Sequence, residues 1–194
     1  MSAVTTKQQR WNRRYKEKLQ TEQTPAFVLQ SNQSLLSGNG KALDLACGLG
    51  GNAIFLAQHG YQVTALDYSE VALNKLSACA AGNNLSIETC LSDLENDEFI
   101  SQSFDVIVAS YYLQRDLFPK IFSALKPGGL LFYQTFSGSP VKDTGPQNIL
   151  FRLRRGELLS MCSNHTILFY REDPGECSGS DCMCGESMII VRRD

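Results

Sequence analysis

The chain has 194 residues, 43% of them apolar, with 18 basic and 20 acidic side chains for a net charge of −2. This length suits about one domain, and the apolar share supports a real core, which excludes whole-chain disorder. Near-neutrality argues against nucleic acid as the main partner, and the sequence holds no run of about 18 apolar residues with which a helix would span a membrane.

The first 18 residues carry six basic side chains and one acid, Glu17. A basic leader can be a transit peptide, but Trp11, Tyr15 and Leu19 recur at i, i+4, i+8, which suits a short helix docked on its own protein. Residues 1–40 read as an N-terminal helical extension or lid, and 41–194 as one domain. Residues 41–46 form a short apolar run ending at a glycine cluster, the first strand. A helix over 52–58 stops at Gly60, and 61–67 alternates as the second strand. Ser69 is placed to N-cap a helix to about Ala80. Residues 86–91 and 104–110 are the next strands, the latter apolar enough to be buried on both faces. A helix follows from Asp116, with Pro119 tolerated in its first turn, and Lys126-Pro127-Gly128-Gly129 ends it before a strand over 130–136.

The stretch 137–148 is turn-rich and long for a plain connection, which suggests a lid or substrate loop. A short helix near 156–162 precedes two strands, 165–172 and 186–193, expected as an antiparallel hairpin on the sheet edge. Alternating strands and helices predict an α/β fold with a parallel sheet covered by helices. An odd count of seven cysteines, several of them in core segments, reads as reduced thiols and a cytoplasmic location.

The most informative segment is Asp44-Leu45-Ala46-Cys47-Gly48-Leu49-Gly50-Gly51-Asn52, where a strand meets a helix. Glycines there let the backbone approach a ligand, and the helix start offers free N–H groups. Asp67 ends the next strand, nineteen residues after Gly48, where an acid accepts both hydroxyls of a ribose. Asp93 follows the third strand, so three acids and a glycine turn converge at the carboxyl ends of the strands. Gly48-x-Gly50-x-x-Ala53 also satisfies the dinucleotide fingerprint. Asp44 argues the other way: a carboxylate just before the turn repels a pyrophosphate and suits a ligand bearing an ammonium and a sulfonium.

Residues 42–69, ALDLACGLGGNAIFLAQHGYQVTALDYS, resemble the first two motifs of the class I S-adenosylmethionine-dependent methyltransferases. The later motifs resemble LSDLE (91–95), FDVIVAS (104–110) and LKPGGLLFYQTF (125–136). Within that family, WNRRY (11–15), GLGGN, HGYQVTALD and the GPQN…RRGELL stretch resemble the small tellurite-resistance-type methyltransferases; Gly51 departs from them where a basic residue is usual. The resemblance implies a Rossmann-like three-layer sandwich with a seven-stranded, mostly parallel sheet and a C-terminal antiparallel hairpin. It implies S-adenosylmethionine as cofactor and S-adenosylhomocysteine as product. Gly48 and Gly50 would lie under the methionine part, with Ala46 and Asn52 in the same turn. Asp44 would sit near the ammonium and Asp67 would hold the ribose. Tyr68 would pack on the adenine, and Asp93 would accept its amino group beside the Leu94 backbone. Ala109 would line the floor near the methyl group. Trp11, Arg14 and Tyr15 would close over the pocket, with Arg14 on the cofactor carboxylate.

No residue stands out as a base. Tyr111 and Tyr112 follow the fourth strand, where an acceptor would enter, and are the catalytic candidates; Tyr111 and Arg115 are the substrate candidates. His59, at a helix end, and His165 read as structural. Arg152, Arg154 and Arg155 read as a solvated basic face beside the loop. Cys177, Cys182 and Cys184 offer three soft ligands in C-x4-C-x-C spacing, one short of a structural zinc site. A flexible hairpin loop is the plainer reading of that segment. The expected function is methyl transfer to a small acceptor, possible soft nucleophiles and oxyanions included, by a monomer or homodimer. The alternatives are an NAD(P)-dependent oxidoreductase with the same glycine turn, and a non-catalytic cofactor- or metal-binding protein.

Overall fold

The computed structural model describes residues 6–18, 24–96, 101–140, 144–173 and 183–194. Cys177 and Cys182 lie outside the described residues, as does Leu19. Seven strands occur among the described residues, three in the first half of the chain and four in the second. The chain divides into two compact units, Met1–Glu98 and Phe99–Asp194.

In the first unit, β1 (Lys41–Leu45), β2 (Gln62–Asp67) and β3 (Ile87–Leu91) are parallel, β2 central to the three. Helices α3 (Gly51–Gln58) and α4 (Glu70–Gly82) are the crossovers that join these parallel strands. Leu43, Leu45, Leu56, Ala65 and Leu76 are fully buried between them. Burying each leucine stabilises the fold by about 1.5–3 kcal/mol. Ser69 caps α4 as its sequence predicts: its side chain accepts from the Ala72 N–H at 3.3 Å. His59 ends α3, its ring nitrogen bonded to the Phe55 carbonyl at 2.8 Å, a structural role.

The N-terminal extension holds α1 (Lys7–Lys16), opened by a capping box between Thr6 and Gln9, and a short helix α2 (Phe27–Gln30). The segment around α2 is more than an appendage, since Val28 and Leu29 are fully buried.

In the second unit, β4 (Phe104–Ser110) runs parallel to β5 (Leu125–Phe136). Helix α5 (Phe118–Ala124) starts at Phe118, because a 3₁₀ turn over Arg115–Leu117 and Pro119 take up its first turn. The strand after it begins at Leu125, five residues earlier than expected. Pro127-Gly128-Gly129 is a bulge inside it, held where the Gly128 N–H donates to the Arg193 carbonyl at 2.8 Å and the Arg193 N–H to the Gly129 carbonyl at 2.9 Å. Helix α6 (Glu157–Met161) leads into β6 (Thr166–Glu172) and β7 (Glu186–Arg192). These two strands are the antiparallel hairpin expected on the sheet edge: β7 is the inner strand, antiparallel to both β5 and β6, and β6 is the outer one. The apolar MIIV of β7 explains this, because residues buried on both faces belong in a sheet interior.

Candidate functional site

The turn after β1 is built from left-handed backbone. Ala46, Gly48 and Gly50 have φ of 53°, 55° and 83°. A side chain at Gly50 would collide with Leu76, and one at Gly51 with the Thr24 carbonyl, so both positions demand glycine. A Cβ on Gly48 would stand 2.8 Å from the Tyr15 hydroxyl, which places α1 directly over the turn.

Two buried carboxylates brace this turn. Asp67, 6% exposed, accepts from the Gly48 N–H at 2.7 Å through one oxygen and from the Ser69 N–H at 2.8 Å through the other. Asp44, fully buried, accepts from the Ala53 N–H at 3.0 Å and from the Asn52 amide at 3.4 Å. Burial pushes the Asp44 carboxyl up to about 7, and the charge of Asp67 adds to the effect. Burial likewise raises Asp67 against the pull of its backbone donors. Among the described residues, no basic side chain pairs with either acid. The turn is therefore electronegative and prepared for a cation.

Asn52, expected at the cofactor, also clamps the fold: its side-chain oxygen accepts from the Ala26 N–H at 2.8 Å, tying the segment before α2 to the start of α3. Asp93 forms its own turn, accepting from the Glu95 N–H at 3.3 Å and the Asn96 amide at 2.9 Å, with Leu94 buried beside it. Tyr68 is partly exposed after β2, and the Lys7 ammonium lies 5.7 Å over its ring while pairing with Glu95.

Sequence reasoning missed the groups that hold α1 down. The Asn12 side-chain oxygen accepts from the Ser69 hydroxyl at 2.7 Å. At the other end, Lys75 donates to the carbonyls of Tyr15, Lys16 and Lys18 at 2.8, 3.0 and 2.7 Å, capping the helix with a positive charge. Burial and the Asp67 charge hold the Tyr15 phenol well above its usual range, so it stays protonated. Arg14 stacks on Trp11 at 5.2 Å, exposed.

In the second unit, Ala109 is buried in β4 and Tyr111 follows it at φ 56°. A tyrosine in the left-handed region is an outlier of the kind that collects at functional sites. The carbonyl of Tyr112 accepts from the Tyr133 hydroxyl at 2.5 Å. Arg115 is engaged in a two-pronged ion pair with Glu157, at 2.6 and 3.0 Å, and donates to the carbonyls of Leu150 and Arg152. The Arg152–Arg155 run divides, correcting the expectation of a solvated face. Arg152 is 1% exposed, donating to the carbonyls of Ser137, Gly138, Thr144, Pro146 and Gly185. Only a guanidinium, with five fixed donors, satisfies so many carbonyls of a turn-rich loop at once. Cys184 is half-buried, and no group of metal-ligating side chains occurs among the described residues. No helix among them is long and apolar enough to cross a membrane.

Comparison with known proteins agrees with the geometry. The methyltransferase domain family matches residues 42–129. TehB of Haemophilus influenzae, named as an S-adenosyl-L-methionine-dependent methyltransferase, is 32% identical over 149 residues, which are 73% of this chain and 51% of that protein. The chain thus spans about half the length of this curated relative. The crystal structure of TehB superposes with a TM-score of 0.68 at 22% identity, covering 86% of this chain and 61% of that one. An S-adenosylmethionine-dependent methyltransferase from Mesorhizobium loti gives 0.67 at 20% identity, over 87% and 98%. A geranyl diphosphate C-methyltransferase from Streptomyces coelicolor, solved with S-adenosyl-L-homocysteine, gives 0.67 at 14% identity, over 86% and 77%.

Proposed function

We propose that this chain, by fold and motifs a class I S-adenosylmethionine-dependent methyltransferase similar to the tellurite-resistance type, transfers the methyl group of its cofactor to a small molecule. The observation that carries the reading is the pair of buried carboxylates at a left-handed glycine turn, bonded among the described residues to backbone N–H groups and one amide and to no basic side chain. That arrangement favours a ligand with a sulfonium and an ammonium over one with a pyrophosphate. In this reading Asp44 faces the ammonium and Asp67 the ribose hydroxyls. Tyr68, Asp93 and Leu94 hold the adenine, and Gly48 and Gly50 let the methionine part approach the backbone.

The cofactor supplies a methyl carbon already activated by its sulfonium, so the protein's work is alignment and exclusion of water. Alignment alone is worth about 7–11 kcal/mol for well-oriented partners. Titration calorimetry should show S-adenosylmethionine binding and no nicotinamide cofactor binding. Turnover is then read as S-adenosylhomocysteine release across a panel of amines, thiols, hydroxyl compounds, carboxylates and chalcogen oxyanions. Binding of NAD in place of S-adenosylmethionine would overturn the reading.

Helix α1, which carries Trp11, Arg14 and Tyr15, serves as the lid in this scheme. Lys75→Met removes the charge that caps its C-terminal carbonyls. One to two charge-assisted bonds' worth of docking is lost, so cofactor dissociation should quicken about 10-fold. The chain's single tryptophan lies on α1, and its fluorescence in stopped-flow displacement reads that rate. An unchanged rate would mean that α1 does not gate the site.

A further inference from the structure

Three neighbouring apolar side chains of the second unit face solvent. Ile149, Leu150 and Phe151 are 56%, 72% and 58% exposed. Single exposed leucines are ordinary on a folded surface, whereas three in a row mark a face that meets something apolar. They form one 3₁₀ turn, Ile149–Phe151, which precedes α6.

The turn is held in shape by its own bonds. The Asn148 side chain accepts from the Leu150 N–H at 3.0 Å, and the Asn148 carbonyl accepts from the Phe151 N–H at 3.1 Å. The Ile149 carbonyl accepts from the Arg152 N–H at 3.1 Å, and Arg115 donates to the Leu150 carbonyl at 3.3 Å. These backbone groups are already paired, so the tip can leave water without stranding them. A turn fixed in advance also loses little conformational freedom when it docks.

The charges beside the tip decide which apolar medium suits it. From Thr144 to Gly156 the sequence holds Arg152, Arg154 and Arg155 and no acid, and Lys142 and Asp143 before it offset each other. Arg152 is buried, whereas Arg154 and Arg155 are exposed. Two acids close to this stretch in the fold are already engaged. Glu157 is held by Arg115 at 2.6 and 3.0 Å, and Glu172 by the Tyr170 hydroxyl at 2.7 Å and the Gly156 N–H at 3.1 Å. A second copy of this chain is a poor occupant, because a two-fold contact through the turn brings the exposed arginines of one copy toward those of the other. An anionic bilayer surface meets both demands: its acyl boundary takes the apolar tip, and its headgroups take the two guanidinium ions.

We propose that the Ile149–Phe151 turn, with Arg154 and Arg155 beside it, is a docking site for an anionic lipid surface. The contact is peripheral and reversible, since three side chains and two charges fall far short of a spanning helix. It stands whether or not the chain transfers methyl groups.

The test is co-sedimentation of the full chain with vesicles of phosphatidylcholine that contain about one third phosphatidylglycerol. At physiological salt the chain should partition onto these vesicles, and about 25-fold less onto pure phosphatidylcholine, which is about fivefold, or about 1 kcal/mol, for each arginine. Arg154→Gln combined with Arg155→Gln should reproduce that loss on the mixed vesicles. Leu150→Ser combined with Phe151→Ser should lower partitioning about 100-fold, tenfold for each side chain. High salt should weaken wild-type binding and leave the arginine variant nearly unchanged. Circular dichroism like that of wild type shows that the variants fold; if the serine variant does not, the arginine variant and the lipid comparison decide. No partitioning of wild type onto the mixed vesicles, equal binding to pure phosphatidylcholine, or wild-type partitioning in either variant overturns the proposal. So does self-association in analytical ultracentrifugation that the serine variant abolishes, since a second copy then covers the turn.

Discussion

Asp67→Ala should weaken S-adenosylmethionine binding about 100-fold, since two charge-assisted hydrogen bonds to a ribose are worth roughly 3 kcal/mol together. The same substitution also loosens the free protein. Asp67 accepts from the N–H groups of Gly48 and Ser69, both buried, and alanine leaves them without that partner. Each unsatisfied donor costs about 1–3 kcal/mol, and each kcal/mol lowers Tm by about 2–4 °C at this chain length. The expected result is thus a folded protein, with circular dichroism like wild type at 20 °C, a lower Tm, and binding that calorimetry barely detects. Unchanged affinity would remove the ribose role from Asp67 and reduce it to a brace for the turn.

Local chemistry was legible from sequence, and contacts between distant segments were not. The glycine turn, the Ser69 cap and the acid ending β2 each depend on residues a few positions apart, and each stands where the pattern placed it. Lys75 and Asn12 carry no such signal. Lys75 looks like any solvated helix lysine until α1 is folded back onto α4, some sixty residues away in the chain. Arg152 misled for the same reason: in sequence it is the first member of a basic run, and only the carbonyls of a distant loop make it a core residue. Gln134 and Glu186, whose side chains bond at 2.7 Å, did leave a trace. Each is a polar residue within or at the start of an otherwise apolar strand, LLFYQTF and ESMIIV. A buried strand carries such a group only when it has a partner. The two meet because β5 and β7 pair antiparallel, with Gln134 opposite Met188 and Phe136 opposite Glu186. That register cannot be derived before the pairing of the strands is known.

Asp44 offers the prediction with the clearest sign. Its carboxyl is raised to about 7 by burial, opposed by the Asn52 and Ala53 donors, with the Asp67 charge adding to the rise. The free protein therefore holds a proton there at mildly acid pH, whereas a cationic ligand requires the carboxylate. Binding of S-adenosylmethionine should release that proton below about pH 7, and affinity should fall as pH is lowered, approaching tenfold per pH unit. Calorimetry in buffers of different ionisation heat counts the protons directly.

The free protein should respond in the opposite sense. A carboxyl that binds its proton more tightly when folded than when unfolded contributes stability at low pH and loses it as pH rises from about 4 to about 7. Asp44→Asn removes that dependence, along with most of the binding. The amide also alters the local hydrogen bonds, but that cost does not vary with pH. The difference in Tm between Asp44→Asn and wild type should therefore shift in favour of the variant from pH 5 to pH 8. Each pH unit across the titration is worth about 1.4 kcal/mol, or about 3–5 °C at this chain length. A Tm difference independent of pH would show that Asp44 is ionised throughout this range and that burial does not raise its carboxyl.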